Sequence, residues 1–185
     1  MSETYVNGLF GPQNCRTQPN DIHYTPDKLA KEIIDYYKPK GKILEPCKGT
    51  GAFYRHLPKG SQYCEISEGI NFFEFTDKVD WIITNPPFSK LTAFMQHSFK
   101  LANNIVFLIN VAALFSTYRI KIIEDCKCRI KEIRFVKQPD TFPQTGRIPG
   151  AVYFKKNYTG NIKVSFTSNW RKSYKSAVNG QITGL

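Results

Sequence analysis

Val79-Asp80-Trp81-Ile82-Ile83-Thr84-Asn85-Pro86-Pro87-Phe88 is the stretch whose reading decides the fold. Val79, Trp81, Ile82, Ile83 and Thr84 form a β-branched and apolar run that reads as a strand. Two prolines then fix φ twice and remove two backbone donors, so the strand ends before them. Asn85 is thereby held at a strand's carboxyl end on a stiff turn, among carbonyls released from ladder pairing. One reading makes Asn85 the N-cap of the next helix, because Leu91, Phe94, Met95 and Phe99 recur at helical spacing. The other makes the turn a polar acceptor site.

Outward from this strand, the chain alternates strands and helices. Asp27–Tyr37 places Leu29, Ile33, Ile34 and Tyr37 on one helical face, and Pro39-Lys40-Gly41 stops it. Residues 42–46 predict a short strand, 51–57 a brief helix, 61–66 a second strand, 89–101 a helix and 104–111 a strong strand. A helix over 117–125 follows, and then strands over 130–137 and 151–155 joined by the loop PDTFPQTGRIPG. Ile162, Val164 and Phe166 alternate with Lys163, Ser165 and Thr167 as a further candidate strand. This rhythm predicts an α/β domain with a mostly parallel sheet. Residues 1–20 are polar and read as a loose arm, and residues 161–185 as a basic carboxyl-terminal extension.

The chain has 185 residues, 41% hydrophobic and 22% charged, which suits one well-buried domain. Its longest apolar run, IVFLINVAALF, is too short to span a membrane, and the opening residues lack the apolar core of a signal peptide. A soluble, cytoplasmic protein is expected, with no membrane partner. Five cysteines without a CxxC pair point to reduced thiols and no metal site. The net charge is +11, and from Thr141 to Leu185 there is no Asp or Glu at all. Nucleic acid is the partner such a surface suits, with Arg147, Lys155, Lys156, Arg171, Lys172 and Lys175 as candidate contacts, and Tyr158, Trp170 and Tyr174 as stacking surfaces.

KILEPCKGTGAF places Gly49 and Gly51 between a strand end and a helix start, where a tight turn lets a ligand approach backbone N–H groups at a helix terminus. The phosphate-binding glycine patterns require a third glycine or a Lys-Ser/Thr pair, and neither is present. Glu45 at the strand end repels phosphate, so a ligand with a positive or neutral centre fits better. Glu65 ends the next strand, where a carboxylate can accept both hydroxyls of a ribose. Asn71 could meet a base edge and Phe72 its face.

Tyr24-Thr25-Pro26, then Glu45-Pro46-Cys47-Lys48-Gly49-Thr50-Gly51-Ala52-Phe53, then Asn85-Pro86-Pro87-Phe88 resembles, in composition and order, the gamma-type N6-adenine methyltransferases that use S-adenosylmethionine. The resemblance covers residues 22 to 155. It implies a Rossmann-like class I methyltransferase fold: a mostly parallel seven-stranded sheet with an antiparallel terminal hairpin, occupying residues 21–160. It places the cofactor against Tyr24, Thr25, Glu45, Pro46, Gly49, Gly51, Phe53 and Asn85, with Glu65 on the ribose and Asn71 and Phe72 on the adenine. The family usually carries Asp where Asn71 stands.

The same resemblance gives the Asn-Pro-Pro-Phe turn its chemistry. An adenine amino group is a poor nucleophile because its lone pair is delocalised into the ring. Acceptors at Asn85 and Pro86 would each take an N–H, Pro87 would stiffen the turn, and Phe88 would stack on a base flipped out of the helix. DNA is the expected substrate, with RNA, a protein glutamine amide and a non-catalytic nucleic-acid-binding subunit as alternatives. A homo-oligomer or a separate recognition subunit would supply target readout.

Overall fold

The computed structural model describes residues 23–142, 146–168 and 170. The expected arm over 1–20 and the basic residues Arg171, Lys172 and Lys175 lie outside the described residues.

The strands are β1 (Ile43–Glu45), β2 (Gln62–Tyr63), β3 (Val79–Thr84), β4 (Ala102–Asn110), β5 (Cys128–Phe135), β6 (Pro149–Lys156) and β7 (Lys163–Phe166). They form one seven-stranded sheet in the order β2-β1-β3-β4-β6-β5-β7. Every pairing is parallel except the two made by β6, which runs antiparallel between β4 and β5. The expected antiparallel hairpin is therefore β5–β6. The sheet continues past residue 160, since β7 pairs with β5 as its outer edge.

Three helices cover the sheet: α1 (Asp27–Tyr37), α2 (Leu91–Leu101) and α3 (Thr117–Asp125). Strand alternation divides the core between its faces. Ile82, Ile105, Phe107 and Ile109 pack with Leu91, Phe94, Met95 and Phe99 of α2 and Ile122 and Ile123 of α3. Ile83, Val106 and Leu108 point the other way, towards Ala30, Ile33 and Ile34 of α1. Central strands buried on both faces explain why β3 and β4 read as continuous apolar runs.

Two expected elements are shorter than the sequence suggests. The helix over 51–57 is only a 3-10 turn, Tyr54–His56, because Gly51 adopts a φ of +81° and the chain is extended at Leu57, just before Pro58. A three-residue turn offers little helix dipole, so the glycine loop does not lead into a helix N-terminus of the expected kind. Strand β2 is confined to two residues, after which two more 3-10 turns, Ile66–Glu68 and Phe72–Glu74, lead back to β3.

The outer edge is fastened by a buried carboxylate. Glu132 on β5, 5% exposed, accepts hydrogen bonds from Tyr36 of α1 at 2.7 Å and from the Ser165 hydroxyl of β7. Lys163 completes the cluster, 3.5 Å from Glu132 and donating to the Tyr36 hydroxyl. Replacing Glu132 by Ala strands these donors, and urea denaturation is expected to show a loss of about 3 kcal/mol. A change below about 0.5 kcal/mol would mean that the cluster is solvated and contributes little.

Candidate functional site

The parallel strands β1 and β3 deliver their carboxyl ends to one side of the sheet, where a cavity of about 340 Å³ opens. Its wall joins four segments: 23–25 ahead of α1, the glycine loop after β1, the turns after β2, and Asn85 to Phe88 after β3. All the residues singled out for catalysis or cofactor binding line it except Gly51. Gly51 stands behind, its N–H bonded to the Lys48 carbonyl at 2.8 Å.

Asn85 does not cap a helix. The helical turn after it begins at Phe88 with Pro87 in the capping position, because consecutive prolines carry the chain past Asn85 in an extended conformation. Its side-chain amide instead points back to the first segment. Nδ2 donates to the His23 carbonyl at 2.8 Å and to Thr25 Oγ1 at 3.2 Å. The His23 carbonyl can only accept, which fixes the amide's orientation and turns Oδ1 away from it. That oxygen is buried and has no hydrogen-bond partner. The neighbouring carbonyls are engaged: Asn85's own receives the Cys47 thiol at 3.4 Å, and Pro87's receives the Lys90 N–H at 3.0 Å.

Glu45 is 2% exposed, and its Oε2 has no partner either. Burial pushes its carboxyl from the ordinary 4.5 up to about 9, against an opposing N–H from Tyr54. Glu65 is treated oppositely. Partial burial pulls its carboxyl upward, but donors from Ser67 and the Gly49 N–H outweigh this and hold it below the usual carboxylate range. Glu65 Oε2 lies 2.7 Å from the Gly49 nitrogen, so this carboxylate ties the glycine loop to the end of β2. Gly49 holds a φ of +53° with the Tyr24 ring beside it, and a side chain there would be strained.

Asn71 lines the cavity, but its amide is committed locally. Oδ1 accepts the Phe73 N–H at 3.1 Å, and Nδ2 donates to Glu74 at 3.0 Å, stabilising the 3-10 turn that follows. Phe72 is a core residue, its ring 4.7 Å from that of His97 and 5.0 Å from that of Phe94.

Of the basic candidates, Arg147 stands at the site, its guanidinium 5.1 Å from the Phe88 ring centre. Lys155 and Lys156 do not. Antiparallel β6 pairs Lys155 with Asn104 near the start of β4, carrying both lysines to the sheet's opposite end. Lys163, counted in the acid-free segment, is engaged with Glu132 and Tyr36.

Sequence reasoning missed three residues here. His23 orients Asn85 through its carbonyl and sets its ring 5.2 Å from Phe88, with Phe142 beyond. Ile66, 46% exposed, lines the cavity directly after Glu65. An apolar residue following that acid is a signal the sequence did carry. The contacts of His23 and Phe142 depend on segments far apart in the chain and leave no local signal.

No protein-family profile and no curated protein matches the sequence. Solved structures do. The chain is similar to a Listeria monocytogenes protein named as a class I S-adenosylmethionine-dependent methyltransferase, with TM-score 0.60 and 14% identity over 93% of this chain and 74% of that one. The M protein of the type I restriction enzyme EcoKI aligns with TM-score 0.55 and 17% identity over 78% of this chain and 46% of its own. A Pyrococcus horikoshii protein named as an RNA methyltransferase aligns with TM-score 0.56 and 16% identity over 75% and 89%.

The chain has the class I methyltransferase fold. It spans about half the length of the EcoKI M protein and of a type I modification subunit from Vibrio vulnificus that it also matches. Within the described residues no helix is long and apolar enough to cross a membrane, and no group of His, Cys, Asp and Glu could hold a metal ion.

The raised Glu45 carboxyl makes a pH prediction. Between the unfolded value of 4.5 and the folded value of about 9 the folded protein binds the extra proton. Its stability must therefore fall as pH rises through that window. The Tm of the ligand-free protein is expected to decline from pH 6 to pH 9, and more steeply than that of Glu45→Gln. Parallel profiles for the two proteins would place Glu45 in water.

Proposed function

We propose that this protein transfers a methyl group from S-adenosylmethionine to the N6 amino group of adenine in DNA. The observation that carries the reading is the buried, unpartnered Oδ1 of Asn85, a residue that lines the cavity together with Pro86, Pro87 and Phe88. A buried carbonyl oxygen without a donor costs about 1–3 kcal/mol. A ligand N–H reaching it recovers that cost.

The cavity's chemistry fits the cofactor. Glu45, buried and short of a partner, suits the positively charged end of an amino acid. The Glu65 carboxylate sits beside the glycine loop where a ribose would meet it, and Ile66 offers an apolar surface for an adenine. When bound, the cofactor supplies an electrophilic methyl on a sulfonium. The chain's own residues do the rest. Asn85 Oδ1 and the Pro86 carbonyl each accept one hydrogen of the target amino group, turning its lone pair out of conjugation and towards the methyl. His23 and Thr25 keep the amide from flipping, so the oxygen is placed before substrate arrives. Phe88 stacks on the target base, which must leave the helix to reach this depth. Methylated nitrogen then carries a surplus proton, which it loses to water.

The EcoKI M protein among the structural neighbours favours DNA as substrate. The Pyrococcus neighbour, 89% covered by this chain, is the reason to keep RNA as the second reading, and competition of cofactor-dependent labelling by duplex DNA and by RNA separates the two.

Asn85→Ala should lower methyl transfer from labelled cofactor to adenine-containing DNA by roughly a hundredfold or more, about 2.7 kcal/mol of transition-state stabilisation. Cofactor affinity by titration calorimetry should change little. Near wild-type turnover in the variant would remove Asn85 from the chemistry. A folded wild-type protein that takes up no cofactor at millimolar concentration would end the methyltransferase reading.

A further inference from the structure

After β4 ends at Asn110, a 3-10 turn over Val111–Leu114 leads to Phe115 and then to Tyr118 in the first turn of α3. Because β3 and β4 are parallel, this places both aromatics at the same end of the sheet as the Asn85 turn. They are the two most exposed large hydrophobic side chains among the described residues, at 63% and 60%.

Their position is fixed from below. Ser116 Oγ caps α3 by accepting the Arg119 N–H at 3.3 Å. Arg119 donates to the Ala113 carbonyl and, at 3.0 Å, to Thr92 Oγ1 in the first turn of α2. Tyr118 reaches Gln96, one turn further along α2, at 3.5 Å. Helix α2 itself follows directly on the Phe88–Lys90 turn, and Phe88 and Lys90 line the cavity at this end of the sheet.

Of the cations between Trp81 and Ile123, a stretch without Asp or Glu, Lys90 and Arg119 lie at this end of the sheet, while Lys121 is paired with Asp125 at 3.0 Å and Lys100 lies at the far end of α2. Lys90 lines the cavity, and Arg147 faces Phe88 from the other side. Exposed aromatic side chains on a fixed base, at the same end of the sheet as the cavity with its Lys90, match the chemistry of single-strand binding.

We propose that Phe115 and Tyr118 form a stacking platform for the bases that flank the target in a single DNA strand. The inference rests on the proposed reading that the cavity takes an adenine drawn out of its stack in DNA. Withdrawing one base from a stack leaves its neighbours with bare faces. An aromatic platform beside the slot replaces the lost contact, whatever the neighbouring bases are.

The test is fluorescence anisotropy of the full chain with a labelled, adenine-containing single-stranded oligodeoxynucleotide at several salt concentrations. Phe115→Ala with Tyr118→Ala should weaken binding about tenfold or more and leave the salt slope unchanged, since no phosphate contact is lost. Phe115→Trp with Tyr118→Phe should bind like the wild type. Unchanged affinity in the alanine pair overturns the proposal. So does a changed oligomeric state in sedimentation with DNA binding intact, which would make the aromatics a protein contact. Calorimetry with S-adenosylmethionine on the same samples separates the two claims. Lost cofactor uptake by the wild type would sink the methyltransferase reading, whereas anisotropy judges the platform alone.

Discussion

The amide of Asn85 is where the parts of this molecule meet. Its nitrogen is held by the His23 carbonyl and Thr25 Oγ1, sixty residues earlier in the chain, and its oxygen is left buried without a donor. Three features make this orientation stable. The prolines prevent the strand from continuing and taking Asn85 into the ladder. Helix α1 packs on the sheet and fixes the segment before it. Cys47 bonds the Asn85 backbone and Thr84 Oγ1, joining the end of β1 to the end of β3. Such a site carries a cost in the free protein, and strain of this kind persists only where surrounding structure enforces it.

Around this acceptor the cavity separates two carboxylates by environment. Glu45 is desolvated and held in its neutral form, ready to ionise beside a cationic ligand. Glu65 is ionised and already accepts three hydrogen bonds, one of them from the N–H of Gly49. The two acids read alike in the sequence, each at a strand end. One is buried without a partner on one oxygen, and the other ties down the glycine loop. The glycine loop is held by the Glu65 carboxylate here, since the helix that would have followed it is a single 3-10 turn.

Much of this was legible in the sequence because its signals are local. The bounds of α1, β3 and α3 follow directly from periodicity, caps and breakers, the mostly parallel sheet follows from their alternation, and its antiparallel hairpin follows from the family resemblance. The glycine loop and the Asn-Pro-Pro-Phe turn were legible because each follows a strand end, whereas the Tyr24-Thr25 segment was legible only through the family resemblance. What failed to show depends on distance. The direction of β6 decides that Lys155 and Lys156 lie far from the cavity while Arg147 lies beside it, and no run of basic residues encodes strand direction. Asn71 looked like a base reader, yet the backbone N–H two residues on competes for its oxygen. The aromatics at 115 and 118 sit among residues that read as core and helix, and only the fold shows which of them remain uncovered.

The central claim, that Asn85 Oδ1 is the acceptor facing the transferred methyl, is tested most directly by a crystal structure with sinefungin, in which an amine-bearing carbon replaces the methyl-bearing sulfonium. The account predicts that this amine points to Asn85 Oδ1, with the amino-acid end at Glu45 and the ribose at Glu65. A ligand bound with its amine turned away from Asn85, or outside this cavity altogether, would contradict it.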